Sequence, residues 1–180
     1  VLSVSGSIPF ILFGFGVVDS FFESMSGITT TGATVIAGLD DLPKSLLIYR
    51  QLLQWLGGMG LIVLAIAVMP LLGIGGGQLF KTQTPGPMSE QRLTPRITST
   101  ARALWSIYFV LTVLCIFAYR LAGMSDFDAV SHAFSTVSIG GFSTHDLSIG
   151  FFDSLSVEIV CITFMLLSAM SFAVHYSAIY

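Results

Sequence analysis

Long apolar stretches separated by short polar segments run through the chain. Segments without a charged residue cover residues 1–18, 51–80, 103–119 and 159–174. Because about 20 apolar residues suffice for a helix to cross the hydrocarbon core of a bilayer, the pattern predicts spanning helices at about Leu46–Met69, Ile97–Gly123 and Ser154–Tyr180. In the first stretch, Ser3, Ser5, Gly6, Ser7 and Pro9 interrupt the apolar run. Only residues 8–18 are strongly apolar there, which indicates the end of a further span.

The composition supports this reading. Hydrophobic residues make up 54% of the chain and charged residues 9%, and the mean hydropathy is +0.88. Since an average soluble domain carries about 25% charged residues, we predict an all-α polytopic membrane protein. The chain begins without Met and ends within an apolar pattern, and we therefore expect it to be part of a longer protein.

A sixteen-residue segment occurs twice, at residues 19–34 and again at residues 128–143. The identical pairs are Asp19/Asp128, Ser26/Ser135 and Gly32/Gly141. Each copy starts with an acid, continues as a short amphipathic run, and ends in hydroxyl residues and a glycine. A run of about ten residues is too short to cross a bilayer as a helix. The repeat therefore predicts two tandem modules, each with a helix, a short re-entrant pore helix, an irregular segment and a second helix.

The irregular segments carry residue types that suit a cation. Dehydrated cations are bound by rings of backbone carbonyls, and glycine reaches positive φ without a Cβ penalty. Gly32 and Gly141 are thus candidates for a filter, and the nearby Thr and Ser residues add hydroxyl oxygens. Small residues also let membrane helices approach closely, and we favour that packing role for Gly57, Gly58 and Gly60.

Charge distribution predicts the orientation in the membrane. The segment Leu71–Arg102 contains Lys81, Arg92, Arg96 and Arg102 but only one acid, and basic loops usually stay in the cytoplasm. We therefore expect loop 71–102 to be cytoplasmic and both repeats to open outward. Within this loop, Pro95 and the two prolines before it are expected to fix turns rather than helix.

Several isolated charged residues have expected roles near the repeats. The acids Asp19, Glu23 and Asp128 are predicted to lie at a pore mouth, where they would concentrate cations. His132 and His145 are expected to be solvated or to cap helices near the outer surface. Arg50 and Arg120 are expected to be interfacial anchors whose charged ends reach the headgroups.

Four segments resemble those of a known family. They are GITTTGATVI from Gly27, RQLLQWLGGMG from Arg50, PLLGIGG from Pro70 and FSTVSIGGFSTHD from Phe134. Together they strongly resemble the Trk/Ktr potassium transporter family, and within it the TrkH-type translocating membrane subunit. Members resemble four fused potassium-channel repeats around one pore.

The resemblance implies a set of filter residues and a domain plan. The filter residues would be Ile28, Thr29, Thr30, Thr31 and Gly32, with Val137, Ser138, Ile139, Gly140 and Gly141 in the second repeat. Residues 1–70 would form the first repeat without most of its first helix, 71–96 a cytoplasmic loop, and 97–180 the second repeat. Two further repeats would be absent from this chain.

The resemblance also implies a function and partners. The function would be potassium translocation across the bacterial inner membrane, with potassium held by backbone carbonyls and no cofactor. A homodimer and a cytosolic nucleotide-binding regulatory subunit similar to TrkA are further implications. A sodium-coupled or less selective monovalent cation transporter remains an alternative, as does a structural membrane subunit without transport activity. An enzyme is disfavoured because the motifs HExxH, GxSxG and GxxxxGK[ST] do not occur in the sequence.

Overall fold

The computed structural model describes the backbone of residues 1–68 and 93–170, and the side chains of residues 1–60, 102 and 104–170. All regular structure within these ranges is helical. This confirms the all-α prediction for the described part of the chain. The expected turns at Pro85 and Pro87, most of the predicted cytoplasmic loop, and the last residues of the final span lie outside the described residues.

The helices follow the same order twice. The first set comprises α1 (Leu2–Phe13), α2 (Val17–Ile28), a 3-10 turn (Leu39–Asp41) and α3 (Lys44–Val68). The second set comprises α4 (Leu93–Leu121), α5 (Asp126–Val137), a 3-10 turn (Ser148–Phe152) and α6 (Leu155–Ala169). In both sets a short helix of 12 residues lies between two others.

Two helices begin earlier than the hydrophobic pattern indicated. The first helix starts at Leu2 and continues through Pro9, so the small residues before Pro9 do not interrupt it. They let α1 approach α2 instead, since a Cβ added to Gly6 would overlap the Ser24 hydroxyl. Likewise α4 starts at Leu93 and includes Pro95, which was wrongly expected to fix a turn. Proline is tolerated there because the first turn of a helix has no intrahelical acceptor for its N–H groups.

One described segment, Leu104–Leu121 within α4, is long and apolar enough to cross a membrane by length and composition. The helices α1 and α6 are apolar but shorter over the described residues. On α4, Phe109, Val110, Leu114 and Phe117 are exposed. These apolar side chains need lipid or further protein around them.

Helix α3 connects the two halves of the structure. Both short helices, α2 and α5, pack on it, while α1 packs on α2, and α4 and α6 pack on α5. One buried cluster surrounds the first half and includes Phe10, Leu46 and Leu53 of α1 and α3. A second cluster centres on Tyr108 and Tyr119 of α4, and α3 also contributes to it. The ends of α2 and α5 therefore lie against adjacent faces of one helix, α2 at Leu53 and Gly57 and α5 at Gln54 and Gly58.

Candidate functional site

The two short helices end in the same backbone turn. Thr30 and Ile139 both have φ of 54°, and Gly32 and Gly141 have φ of 77° and 87°. The members of each pair are 109 residues apart, the offset that relates the two sequence copies, so the two turns share one backbone conformation at equivalent positions. A β-branched residue at positive φ is a genuine outlier, and it occurs here at equivalent positions. Sequence reasoning assigned positive φ to the glycines alone and missed Thr30 and Ile139.

Matching hydrogen bonds close the two turns. After α2, the N–H groups of Thr30 and Thr31 donate to Gly27 O and Ser26 O at 3.0 and 2.9 Å. After α5, Ile139 N and Gly140 N donate to the equivalent carbonyls at 3.1 and 2.8 Å. This is the Schellman arrangement, in which the left-handed position is usually glycine. Placing Thr and Ile there costs roughly 1–2 kcal/mol each, and strain of this kind concentrates at functional sites.

The carbonyls in these turns have no hydrogen-bond partner among the described residues. Among the described parts of the chain, no hydrogen-bond donor pairs with the carbonyls of residues 28–31 or of residues 137–140. Two successive runs of unpaired carbonyls, each at the C-terminal end of a helix, therefore form a region of negative potential.

The two turns touch each other. A Cβ added at Gly32 would overlap the carbonyl oxygen of Gly140. A Cβ added at Gly140 would in turn overlap the side-chain amide of Gln54 on α3. The predicted site residues of the first and second repeats are thus brought together. Gly32 allows the contact between the two turns, and Gly140 allows the second turn to lie against α3.

Helix α3 supports both turns from behind. A Cβ at Gly57 would overlap the Ile28 carbonyl, and one at Gly58 would lie 3.0 Å from the Ser138 side chain. The packing role predicted for these two glycines is confirmed, whereas Gly60 has no neighbour within 4 Å among the described residues. Gln54 is fully buried and its Oε1 accepts a hydrogen bond from Phe142 N at 3.1 Å.

A buried ion pair lies beside the first turn. Glu23 and Arg50 each have 0% of their side chain exposed, and Nε and Nη2 of Arg50 lie 2.7 and 2.6 Å from Glu23 Oε1. The interpretation of Arg50 as an interfacial anchor is therefore wrong. Glu23 is also not an exposed acid at a pore mouth, because it is buried and an arginine compensates its charge. Only Arg120, which is 45% exposed and pairs with Asp126, has the expected surface position.

The other two predicted acids occupy different surroundings. Asp19 is exposed in the first turn of α2. Asp128 is partly buried and accepts hydrogen bonds from Ser125 Oγ at 2.7 Å and from Thr144 Oγ1 at 2.8 Å. Asp128 thus ties the start of α5 to the segment that follows the second turn.

The equivalent of Glu23 in the second repeat is His132, and the two side chains make equivalent contacts. Glu23 accepts a hydrogen bond from Thr34 Oγ1 at 2.9 Å. His132 is 2% exposed, and its Nε2 lies 2.9 Å from Ser143 Oγ, at the position corresponding to Thr34. The expectation of a solvated His132 is wrong, since the ring supports the second turn from inside the structure.

The loops beyond the turns form a polar junction between the repeats. The carboxylate of Asp146 accepts hydrogen bonds from Gly38 N and Leu39 N, each at 3.1 Å. His145 contacts Asp40 and stacks on Phe151. The hydrogen bond from His145 holds the pKa of the exposed Asp40 carboxyl below its ordinary value of 3.8. These contacts bring the loop of the first repeat against the loop of the second.

Sequence reasoning did not identify Arg50 or Gln54 as part of the site. A signal for them exists, because they lie four residues apart and therefore on one face of α3, in a segment whose other residues are apolar except Gln51. Polar residues on one face of a buried helix need partners. Here the partners are the two turns.

Known proteins are similar to this chain in sequence and in fold. The family model for TrkH, described as a cation transport protein, matches residues 2–180. The chain is 56% identical over 181 residues to the Trk system potassium uptake protein TrkH of Vibrio parahaemolyticus, and 58% identical over 181 residues to that of Halomonas elongata. The alignments cover 99% of this chain but 37% and 38% of those relatives.

A solved structure agrees with the sequence comparison. The crystal structure of the potassium transporter TrkH from Vibrio parahaemolyticus superposes with a TM-score of 0.85 at 53% identity, over 99% of this chain and 35% of that one. The similarity therefore extends from sequence to the arrangement of the helices. The chain belongs to the TrkH family of cation transport proteins.

Proposed function

We propose that the two turns are parts of a selectivity filter through which the full-length protein takes up potassium. The observation that carries this proposal is the pair of matched, strained turns whose carbonyls lack hydrogen-bond partners within the described residues. The names of the relatives, potassium uptake proteins rather than enzymes, support potassium as the ion.

The chemistry of the turns fits a monovalent cation. Backbone carbonyls replace the hydration shell of the ion without binding it so strongly that it cannot leave. The C-terminal ends of α2 and α5 add partial negative charge. The proposed ligands are the carbonyls of residues 28–31 and 137–140, with Gly32 and Gly141 allowing each segment to continue past them.

A complete filter needs more than this chain. Two contributions form half of a fourfold ring, so we propose that two further repeats of the full-length protein supply the remaining carbonyls. TrkH family membership places the protein in a bacterial membrane. We propose the inner membrane, several spans, the filter facing outward and loop 71–102 in the cytoplasm, on the basis of the basic residues in that loop.

Two acids remain candidates for attracting cations. Asp19 is exposed and Asp128 is partly buried, and we propose that both raise the local cation concentration near the filter. A homodimer and a cytosolic nucleotide-binding regulatory subunit similar to TrkA are proposals that rest on the family resemblance alone.

Reconstitution of the purified full-length protein in liposomes tests the proposed function. Rubidium tracer flux should be driven by a potassium gradient and should be competed by external potassium much more effectively than by sodium. Equal competition by the two ions would contradict a potassium filter. The absence of flux at a normal amount of inserted protein would contradict transport itself.

A further inference from the structure

Arg50 makes contacts with both repeats at once. Within the first repeat, its guanidinium pairs with Glu23, and Nη2 donates to Thr34 Oγ1 at 3.0 Å. Within the second repeat, Nη1 donates to the carbonyl of Ser143 at 3.2 Å, and the guanidinium carbon lies 4.3 Å from the centre of the Phe142 ring. One buried side chain therefore joins the two segments.

The two contacted segments occupy equivalent positions. Thr34 follows Gly32 by two residues, and Ser143 follows Gly141 by two residues. Arg50 thus holds the chain immediately after each glycine turn. A shift of one turn relative to the other would break at least one of its hydrogen bonds.

This arrangement is not repeated in the second module. There, His132 replaces Glu23, and the described helix α6, Leu155–Ala169, contains no Lys or Arg. If the ion pair only supported a pore helix within one repeat, a counterpart would be expected at α6. Among the described helices, a buried pair of arginine and carboxylate involves α3 alone, whereas the Arg120–Asp126 pair is exposed, and this fits a function between the repeats.

The chemistry of arginine suits such a junction. A buried ion pair adds little net stability compared with apolar residues of similar volume, but it can specify one geometry. The planar guanidinium donates in several fixed directions, whereas an ammonium is a compact point charge on a flexible stem. A lysine at this position could pair with Glu23 but could not also reproduce the bonds to both segments.

We propose that Arg50 is a positioning residue that fixes the spacing between the first and second glycine turns, and that it thereby sets the preference for potassium over sodium. This inference rests on the proposed function, because it assumes that the two turns belong to one filter. It assigns to Arg50 control of the distance between filter segments rather than contact with the ion.

The test uses the full-length protein in bacterial cells that lack their own potassium uptake. Rubidium uptake is measured with increasing potassium or sodium as competitor, and the amount of protein in the membrane is measured in parallel. Arg50→Lys should lower the potassium-over-sodium preference about tenfold, because it removes charge-assisted hydrogen bonds while it keeps the pair with Glu23. The control is Arg120→Lys, at a partly exposed arginine distant in sequence from both turns, which should leave the preference unchanged.

A second variant keeps the test decisive if Arg50→Lys does not reach the membrane. Thr34→Val preserves side-chain shape and the ion pair but removes the hydroxyl that accepts from Nη2, and it should lower the preference by a smaller factor. Unchanged preference in every variant that reaches the membrane, with normal selectivity in the parent, would overturn the role of Arg50. A parent protein without preference for potassium would instead overturn the proposed function.

Discussion

Replacing Gly32 by alanine should damage the proposed filter in two separable ways. The residue has φ of 77°, where a side chain costs roughly 1–2 kcal/mol of backbone strain. The added Cβ would also overlap the Gly140 carbonyl oxygen. That carbonyl cannot simply move back, because Gly140 itself packs directly against the buried amide of Gln54.

A matched glycine in the loop that follows the first turn separates strain from crowding. Gly38 has φ of 73°, close to that of Gly32, but a Cβ added there meets no atom within 4 Å among the described residues. Gly38→Ala should therefore carry a similar backbone cost without displacing a carbonyl of the proposed filter. Both variants should lose roughly 1–2 kcal/mol of stability from strain, whereas only Gly32→Ala should change ion preference.

The assay combines thermal unfolding of the purified full-length protein with competition of rubidium uptake by sodium in cells. A displaced carbonyl that costs about 1.4 kcal/mol of binding free energy for potassium lowers the preference about tenfold, and this is the change expected for Gly32→Ala. Unchanged preference in Gly32→Ala would show that contact with Gly140 does not shape a filter. Equal loss of preference in both variants would show that backbone strain alone explains the effect.

Three further predictions concern contacts around the turns. Gln54→Leu removes the acceptor for the buried Phe142 N–H and should lower stability by about 1–3 kcal/mol, measured by thermal unfolding of the full-length protein. Tyr119→Phe removes a buried hydroxyl that lies 2.7 Å from a threonine hydroxyl of α5; a loss of about 0.5–1.5 kcal/mol is expected in the same measurement, with ion preference unchanged. Because His145 lowers the pKa of Asp40 in the folded state, the stabilisation from their contact should be present above pH 3.8 and lost as pH falls through the lowered pKa. The stability difference between the parent and Asp40→Asn should therefore disappear in acid, and a difference that persists there would contradict this linkage.

The helical fold and the repeat were predictable because they depend on local patterns. Hydrophobic runs indicate helices directly, and the recurrence of an acid, a short run and a glycine is sufficient to predict α2 and α5 from the sequence alone. The predicted starts of the helices were less accurate. The small residues before Pro9, and Pro95 itself, have only a weak influence on helix formation where tertiary packing favours a helix.

The buried polar contacts were not predictable in the same way. Arg50 and Glu23 are 27 residues apart in sequence, and an isolated charge in an apolar segment is consistent with an interfacial position. Their burial depends on α2 packing against α3, which the local pattern does not specify. The positive φ of Thr30 and Ile139 was missed for a similar reason, because a β-branched residue adopts that conformation only when its surroundings require it.

Gly141→Ser in the full-length protein is the most direct test of the proposed filter. Gly141 has φ of 87°, and a Cβ there meets no heavy atom within 4 Å among the described residues, so crowding inside this part of the protein does not complicate the result. The measurement is the competition of rubidium uptake by potassium and by sodium, with membrane protein quantified in the same cells. A filter predicts protein in the membrane with a lost or strongly reduced preference for potassium over sodium. Normal uptake with normal preference would contradict the filter and would leave the glycine turns as a device for helix packing.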